Sequence, residues 1–168
     1  MVVLAVIFWI CVYLVLHTYL FYPLILELLS FRKRGNENQY TRNDDLPVVS
    51  VIISAFNEEE VIAEKIESIF NGDYPDEKLE VLIGSDNSDD DTAAIVGRYL
   101  PEHPNLKFRD FRQRRGKQNV VNDLVSESKG ELLILTDANV MFDTSTIFNL
   151  LRHFRNPGIG LVDTNMIN

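Results

Sequence analysis

The sequence is poor in cysteine and has no excess of positive charge. The one cysteine, Cys11, rules out an intrachain disulfide and lies in an apolar N-terminal run. The formal net charge is -9 and the pI is near 4.8. These values argue against a nucleic-acid-binding protein, because affinity for a phosphate backbone needs a basic face. Any phosphate that the chain binds must therefore be met by a local cluster of basic residues.

Glycine is missing where the common phosphate-binding loops require it. The turn after the first predicted strand, residues 55–58, contains none of the glycines of a G-x-G-x-x-G fingerprint. Gly116 and Lys117 are followed by Gln118 rather than serine or threonine, as a Walker P-loop would require. The acidic run 86–91 lacks the central glycine of a calcium-binding EF-hand loop. These three kinds of site are excluded.

Charged side chains are absent from residues 1–26, apart from the neutral-leaning His17. A helix of this length is longer than the roughly 30 Å hydrocarbon core of a bilayer, so the segment is long enough to span one. A cleavable signal peptide is the competing interpretation. It is disfavoured because the start carries no lysine or arginine and no small-residue cleavage site follows the run.

A basic cluster, Arg32-Lys33-Arg34, follows the apolar run. Positive charge next to a membrane helix favours the cytosolic side for the chain that comes after it. We expect residues 1–30 to be a single-pass anchor in the cell membrane and residues 31–46 to be a juxtamembrane linker. Residues 47–168 would then be a cytoplasmic globular part.

Strand and helix patterns alternate through that globular part. Continuous β-branched and apolar runs are typical of strands buried on both faces, and apolar positions at helical spacing separate them. This alternation predicts an α/β fold with a three-layer, mainly parallel sheet. Asn57 is the expected cap of the first helix. The predicted strands are 48–54, 79–84, 106–109, 132–136 and 159–162, and the later predicted helices are 90–100, 117–128 and 144–154.

Polar side chains follow three of these strands at the point where each strand ends. They lie in segments 54–58, 85–88 and 136–139, and the basic stretch 112–117 comes shortly before a predicted helix. Open α/β sheets bind ligands outside the carboxyl ends of their strands, where these segments would meet. Acid, amide and basic groups together suit a nucleotide diphosphate and a metal ion.

The same segments resemble motifs of the family-2 glycosyltransferases. Val51 to Glu59 is similar to the opening motif of the family, and Ser85 to Thr92 resembles its D-D-G-S-x-D-G-T loop. Arg115-Gly116-Lys117 with Asn122, and Thr136 to Asn139, resemble the later G-K-x-x-x-x-N and D-x-D segments. The resemblance covers about residues 48–168, with a membrane helix before it. It implies a GT-A fold and a membrane-anchored, inverting transfer of sugar from a nucleotide sugar to a glycan or lipid-linked acceptor in polysaccharide or envelope glycan synthesis.

The resemblance also implies a role for residues at the nucleoside end of the donor. Asp86 would accept hydrogen bonds from the base or ribose, although a carboxylate at this place can also serve as a turn or helix cap. Ala55, Phe56 and Glu58 would border the base and ribose, and Phe56 is equally consistent with a core position. For Asp90, which stands at a helix start, capping is the favoured role.

At the diphosphate end, the resemblance implies that Asp137 binds a magnesium or manganese ion. Asn139 stands where the family usually has a second aspartate, so it would be a ligand without charge. Lys117, with Arg115, would face the diphosphate and stabilise the leaving group. Arg112 and Arg114 are expected to be solvated loop residues.

In the family, the acceptor-activating carboxylate and the acceptor-site segment lie beyond the metal motif. Asp163 is the last carboxylate side chain in the sequence, and it follows the last predicted strand too closely to be taken as the general base. We therefore expect no catalytic base within these residues and a truncated, inactive donor-binding part. A second hypothesis remains open, in which the chain is a catalytically silent membrane protein that binds a nucleotide or a partner chain.

Overall fold

The computed structural model describes residues 2–31 and 35–164. The chain divides into two compact units, and the second begins at Asn38. The first unit is one continuous helix. It consists of α1 (Val2–Leu16), a π-helical turn (His17–Phe21) and α2 (Tyr22–Ser30). Pro23 has no backbone N–H to donate, and the wider turn lies directly before it.

This helix is long and apolar enough to cross a membrane by length and composition. It runs for 29 residues, Val2–Ser30, with a mean hydropathy of 2.3 in its apolar window. The Arg32-Lys33-Arg34 cluster, on which the predicted orientation depends, lies outside the described residues.

The second unit contains a parallel sheet of four strands. The strands are β1 (Val49–Ala55), β2 (Leu79–Asp86), β3 (Leu106–Phe111) and β4 (Leu132–Thr136), in the spatial order β3-β2-β1-β4. All three ladders are parallel. The α/β class and the parallel sheet expected from the sequence are therefore confirmed.

Helices cover both faces of this sheet. They are α3 (Ile62–Phe70), α4 (Thr92–Tyr99), α5 (Lys117–Glu127) and α6 (Thr146–Leu151), with short 3₁₀ turns at Asp76–Lys78 and Arg152–Arg155. Alternate residues of β1 point to opposite faces. Val51 and Ile53 belong to one core with α3, α4 and α6, whereas Ile52 packs against α5 in a second core. The unit is thus three-layered, as predicted.

The first helix after β1 begins later than the sequence predicted. Asn57 does not cap it, because the helix starts at Ile62 and Asn57 adopts a left-handed φ of 54°. The Asn57 amide instead pairs with Asp89 in the loop after β2: its Nδ2 donates to Asp89 Oδ1 at 2.6 Å, and its Oδ1 accepts the Asp89 N–H at 3.1 Å. A long-range pair has replaced the local cap.

The fifth strand predicted at residues 159–162 is not formed. Within the described chain these residues have no regular structure, and Leu161 is 84% exposed. A strand needs a partner for its backbone ladder, and β4 forms the edge of the described sheet next to β1. The apolar composition of this segment was therefore not sufficient to make it a strand.

The globular unit also begins earlier than the predicted boundary at residue 47. The Tyr40 N–H donates to the Arg152 carbonyl at 2.8 Å, and Arg155 Nη1 donates to Asp44 Oδ2 at 2.9 Å. Arg42 pairs with Asp73 at 2.5 Å. Residues 38–46, which belong to the expected juxtamembrane linker, are therefore bound to the globular unit. Ion pairs and backbone hydrogen bonds hold them there, and contacts of this kind leave no apolar periodicity in the sequence.

Candidate functional site

The topology creates a crevice between β1 and β4. The chain proceeds outward from β1 to β2 and β3, and then returns through α5 to place β4 on the other side of β1. The order of the strands therefore reverses between β1 and β4. Open α/β sheets bind ligands in the crevice at such a point, outside the carboxyl ends of the strands.

A cavity of about 230 Å³ opens at this crevice. Six of the eight residues expected at the donor and metal site line it; they are Phe56, Glu58, Asp86, Lys117, Asp137 and Asn139. Ser54, Arg114 and Ala138, which were not expected at the donor or metal site, complete the lining. Of the two expected residues that do not line the cavity, Ala55 is fully buried in the core between the sheet and α3, and Arg115 is described below.

Asp86 connects β2 to the turn before α5. Its side chain is buried, with one oxygen accepting the Arg115 N–H at 2.6 Å and the other the Gly116 N–H at 2.8 Å. Gly116 has a φ of 83° and a ψ of 146°, a region that is essentially restricted to glycine. The carboxylate thus orders the backbone that leads into Lys117 and also faces the cavity.

The loops after β1 and β2 are joined by backbone-to-side-chain hydrogen bonds. Besides the pair between Asn57 and Asp89, the Glu58 N–H donates to Thr92 Oγ1 at 2.8 Å. Asp90 accepts the Thr92 N–H at 3.0 Å at the start of α4, although the N-cap residue of that helix is Asp91. These bonds join the two loops at the part of the cavity lined by Phe56 and Glu58.

Glu58 lies among other acidic groups. Burial raises its pKa above the ordinary value, the negative charges of Asp137 and Asp90 raise it further, and Lys117 acts in the opposite direction. A cation or a protonated group placed in this cavity would therefore reduce an existing repulsion.

Lys117 and Asp137 form an ion pair across the mouth of the cavity. Both side chains remain accessible, with 61% and 53% of their surfaces exposed. An exposed pair of this kind contributes about 0–1 kcal/mol, so a ligand can separate it at small cost. Both charges therefore remain available to a ligand.

Arg114 and Arg115 make contacts that the sequence did not predict. Arg114, expected to be a solvated loop residue, is exposed and also stacks on Phe56, with its guanidinium carbon 3.3 Å from the ring centroid. Arg115, expected to face the diphosphate, instead pairs its side chain with Asp123 on α5. The two neighbouring side chains therefore have different partners, Phe56 and Asp123, which sequence spacing does not reveal. Arg112 is exposed, as expected.

Metal-binding groups in the cavity are few. Over residues 2–31 and 35–164, no three His, Cys, Asp or Glu side chains gather into a ready-made metal site. Asp137 and Asn139 offer one carboxylate and one amide oxygen to the cavity. This set fits a hard cation only if a bound ligand or water completes the coordination.

A larger, mostly apolar cavity of about 600 Å³ adjoins the site along β4. Its lining includes Asp137 together with Leu133, Leu135, Leu161 and Asp163. Leu135 is 62% exposed at the sheet edge. Asp163 accepts its hydrogen bond from the neighbouring Thr164 N–H at 2.8 Å, which is a local turn contact.

Comparison with known families identifies the same segment. The family model described as glycosyl transferase family 2 matches residues 50–167. The poly-beta-1,6-N-acetyl-D-glucosamine synthase of Staphylococcus epidermidis is 30% identical over 118 residues, which are 70% of this chain and 28% of that protein. The beta-monoglucosyldiacylglycerol synthase of Trichormus variabilis is 30% identical over 131 residues, 77% of this chain and 28% of that protein. The chain thus spans little more than a quarter of these relatives.

Solved structures show the same architecture. The mannosyltransferase PcManGT from Pyrobaculum calidifontis, in complex with GDP-Man and Mn²⁺, superposes with a TM-score of 0.74 and 29% identity over 86% of this chain and 43% of that one. S. aureus TarS in complex with UDP-GlcNAc gives a TM-score of 0.55 and 28% identity over 60% of this chain and 29% of that one. The fold is of the GT-A type.

Proposed function

This chain belongs to glycosyl transferase family 2, and we propose that it forms the donor-binding part of a membrane-anchored enzyme. The enzyme would transfer a sugar from a nucleotide sugar to a glycan or lipid-linked acceptor, in the synthesis of a polysaccharide or envelope glycan. Relatives named for a polysaccharide and a glycolipid support this acceptor class.

The observation that carries the proposal is the convergence of six motif residues on one cavity at the β1–β4 crevice. These residues come from four separate segments of the chain, and a core packing role would not require them to meet. The cavity lining includes an aromatic ring, Phe56, and a cation, Lys117. That arrangement suits a nucleoside at one end and a diphosphate at the other.

We assign the nucleoside to the side formed by Phe56 and Asp86. Phe56 offers a ring face for stacking on a base, and Arg114 now covers that ring. A base would therefore displace the guanidinium or stack beside it. Each oxygen of Asp86 accepts one backbone N–H and retains a second acceptor site, so the carboxylate can still receive a hydrogen bond from the nucleoside.

We assign the diphosphate to the side formed by Lys117 and Asp137, with a magnesium or manganese ion held by Asp137 and Asn139. The ion, when bound, would neutralise charge on the diphosphate as the bond to the sugar breaks. Ions of this kind are commonly held by one or two protein groups plus substrate phosphates, which agrees with the small ligand set found here. The solved relative that holds GDP-Man together with Mn²⁺ supports the assignment.

The transfer that we propose is a displacement with inversion. The acceptor hydroxyl oxygen forms a bond to the anomeric carbon, and the bond to the diphosphate breaks with its electrons passing to the phosphate oxygen. Lys117 is the protein cation that would face this charge. The hydroxyl proton passes to a base that we assign to none of the described residues. Two relatives named for β-linked products support inversion, because the common glucose-type donors carry an α-linked sugar.

We propose that the helix Val2–Ser30 anchors the protein in the cell membrane with the globular unit in the cytoplasm, where nucleotide sugars are found. The length and apolar composition of the helix support the anchor. The full chain should fractionate with membranes. Digestion of the 112–117 loop by a protease added outside intact cells would contradict the orientation.

The test of donor binding uses the full chain in lipid nanodiscs. Calorimetric titration with UDP and GDP, in manganese and in chelator, should show tighter binding of at least one nucleotide with the metal. Asp137→Ala should abolish this difference, whereas Asp45→Ala, a surface carboxylate paired with Lys78, should leave it unchanged. Equal affinity in metal and chelator would exclude the metal role, and absence of binding to any nucleoside diphosphate would exclude the function.

A further inference from the structure

A lysine side chain is fully buried directly behind the metal-binding loop. Lys65 lies in α3 and is the largest side chain that the fold buries completely. Burying an ammonium group is costly unless it is paired or hydrogen-bonded. Within the described residues, none of the ion pairs involves Lys65. Its position therefore needs an explanation beyond filling space, since methionine would fill the same space at lower cost.

The contacts of Lys65 bracket one short loop. Its Nζ donates to Thr136 Oγ1 at 3.1 Å and to the carbonyl of Val140, and it lies 3.6 Å from the ring centroid of Phe142. Thr136 is the last residue of β4. Asp137 and the two residues after it stand between the two contact points. One ammonium group thus fixes both ends of the loop that carries the proposed metal ligands.

A second residue on the same face of α3 extends this attachment. Ser68, three positions after Lys65, accepts the Phe142 N–H through its hydroxyl oxygen at 3.2 Å. Its hydroxyl in turn donates to the Lys65 carbonyl at 2.8 Å. Residues three apart lie on one side of a helix, so α3 presents two polar anchors to the chain that follows β4.

Electrostatics adds to the hydrogen bonds. Burial lowers the pKa of Lys65 to about 7, and the charge of Asp137 opposes this shift. The ammonium and the Asp137 carboxylate therefore attract each other across the loop. This attraction acts on the same carboxylate that pairs with Lys117.

We propose that Lys65 is a positioning residue for the donor site, because its two hydrogen bonds set where Asp137 and Asn139 present their oxygens. The inference rests on the proposed function, since it assigns the loop the task of holding a metal ion on a diphosphate. It identifies a residue outside the cavity whose loss should impair metal-dependent binding without removing any group that touches the ligand.

The test compares Lys65→Met with the wild type as full chains in nanodiscs. Methionine keeps the apolar stem and removes both hydrogen bonds and the charge. We expect UDP or GDP affinity in chelator to change by less than about twofold and the manganese-dependent gain to fall at least tenfold. The electron paramagnetic resonance spectrum of bound Mn²⁺ should broaden, because the ligand oxygens are no longer held in one geometry. Lys78→Met, a surface lysine paired with Asp45, is the matched control and should behave as the wild type.

Two further variants keep the inference testable if Lys65→Met does not fold. Lys65→Gln retains a neutral donor and should restore part of the manganese-dependent gain, whereas Thr136→Val removes one of the two acceptors and should lower the gain. If folded Lys65→Met keeps the manganese-dependent gain of the wild type, or if both of these variants keep it, the role of Lys65 is overturned. The proposed function is not affected by that result. A wild type that binds no nucleoside diphosphate overturns the proposed function, and the role of Lys65 with it.

Discussion

Lys117 forms an ion pair with Asp137, so the cation that we assign to the diphosphate occupies the carboxylate that we assign to the metal. A metal ion and a diphosphate arriving together would separate the pair and give each charge a new partner. Neither ligand alone satisfies both residues. Metal and nucleotide are therefore expected to bind cooperatively.

Lys117→Met should have opposite effects on metal binding and on nucleotide binding. Without its competitor, Asp137 should bind Mn²⁺ in the absence of nucleotide more tightly, by up to about fivefold, because an exposed pair contributes about 1 kcal/mol at most. Nucleoside diphosphate affinity should fall, since the fixed positive charge is lost. Paramagnetic resonance of free Mn²⁺ during a titration measures the metal affinity. Calorimetry with UDP or GDP measures the nucleotide affinity. A loss of Mn²⁺ affinity would show that Lys117 does not compete for Asp137.

Asn139→Asp should tighten metal binding. The amide oxygen offers a ligand without charge, and a carboxylate at the same place adds the charge that a hard cation favours. The expected result is a lower Mn²⁺ dissociation constant both with and without nucleotide. Asn149→Asp, a change of the same charge on α6, serves as the control. Equal Mn²⁺ affinity in wild type and Asn139→Asp would place residue 139 outside the coordination sphere.

Asp86→Asn should weaken nucleotide binding equally in metal and in chelator. Both Asp86 oxygens accept backbone N–H groups, and an amide can accept only one while presenting its own donors to the other. Leaving a buried donor unsatisfied costs about 1–3 kcal/mol, so the free energy of unfolding should also fall. Urea denaturation and calorimetry measure the two effects. A purely metal-dependent defect would contradict the assignment of Asp86 to the nucleoside end.

Gly130→Ala should destabilise the globular unit, because a Cβ at this position would lie 2.4 Å from the Ser50 backbone nitrogen on β1. Relieving such an overlap typically costs about 1–3 kcal/mol. Gly97→Ala on α4 is the matched control, since a Cβ there meets nothing within 4 Å and alanine favours a helix. Thermal unfolding should show a lower midpoint for Gly130→Ala and an unchanged or higher one for Gly97→Ala.

Lys65 should make stability rise with pH. Its pKa is about 7 in the folded protein, against an ordinary value of 10.5, so the unfolded chain binds more protons between these pH values. The free energy of unfolding should therefore increase as pH rises from about 7 towards 10, by at most about 1.4 kcal/mol per unit, and Lys65 should contribute no slope well below pH 7. Lys65→Met should lack this increase. Parallel urea curves for both proteins at pH 6, 8 and 9 provide the comparison.

Sequence patterns were sufficient for the parts of the fold that depend on local periodicity. The apolar runs of β1, β2 and β4 and the meeting of polar residues at their carboxyl ends followed from burial and strand direction alone. Long-range hydrogen bonds decided what was missed. The Asn57 pair with Asp89 replaced the expected cap, and the hydrogen bonds from the 115–116 backbone to Asp86 join segments that lie 29 and 30 residues apart.

The burial of Lys65 has a signal in the sequence. It lies between Ile62 and Ile66 on the helix face whose other members, including Ile69, are apolar. A lone lysine on such a face indicates either a side chain that reaches the surface along its stem or a buried cation with a dedicated acceptor. Only the position of the Val140 carbonyl, which depends on the loop after β4, distinguishes the two.

The hydrogen bonds that join the loops after β1 and β2 have a thermodynamic consequence for ligand recognition. The Asn57–Asp89 pair and the bond from the Glu58 N–H to Thr92 join these loops through protein groups alone. A base entering against this wall therefore incurs little loss of conformational entropy. The opposite wall must exchange the Lys117–Asp137 pair for new partners. Selection among bases would thus depend on the fixed shape of this wall. Binding affinity at the phosphate end would depend on ionic strength and on the metal concentration.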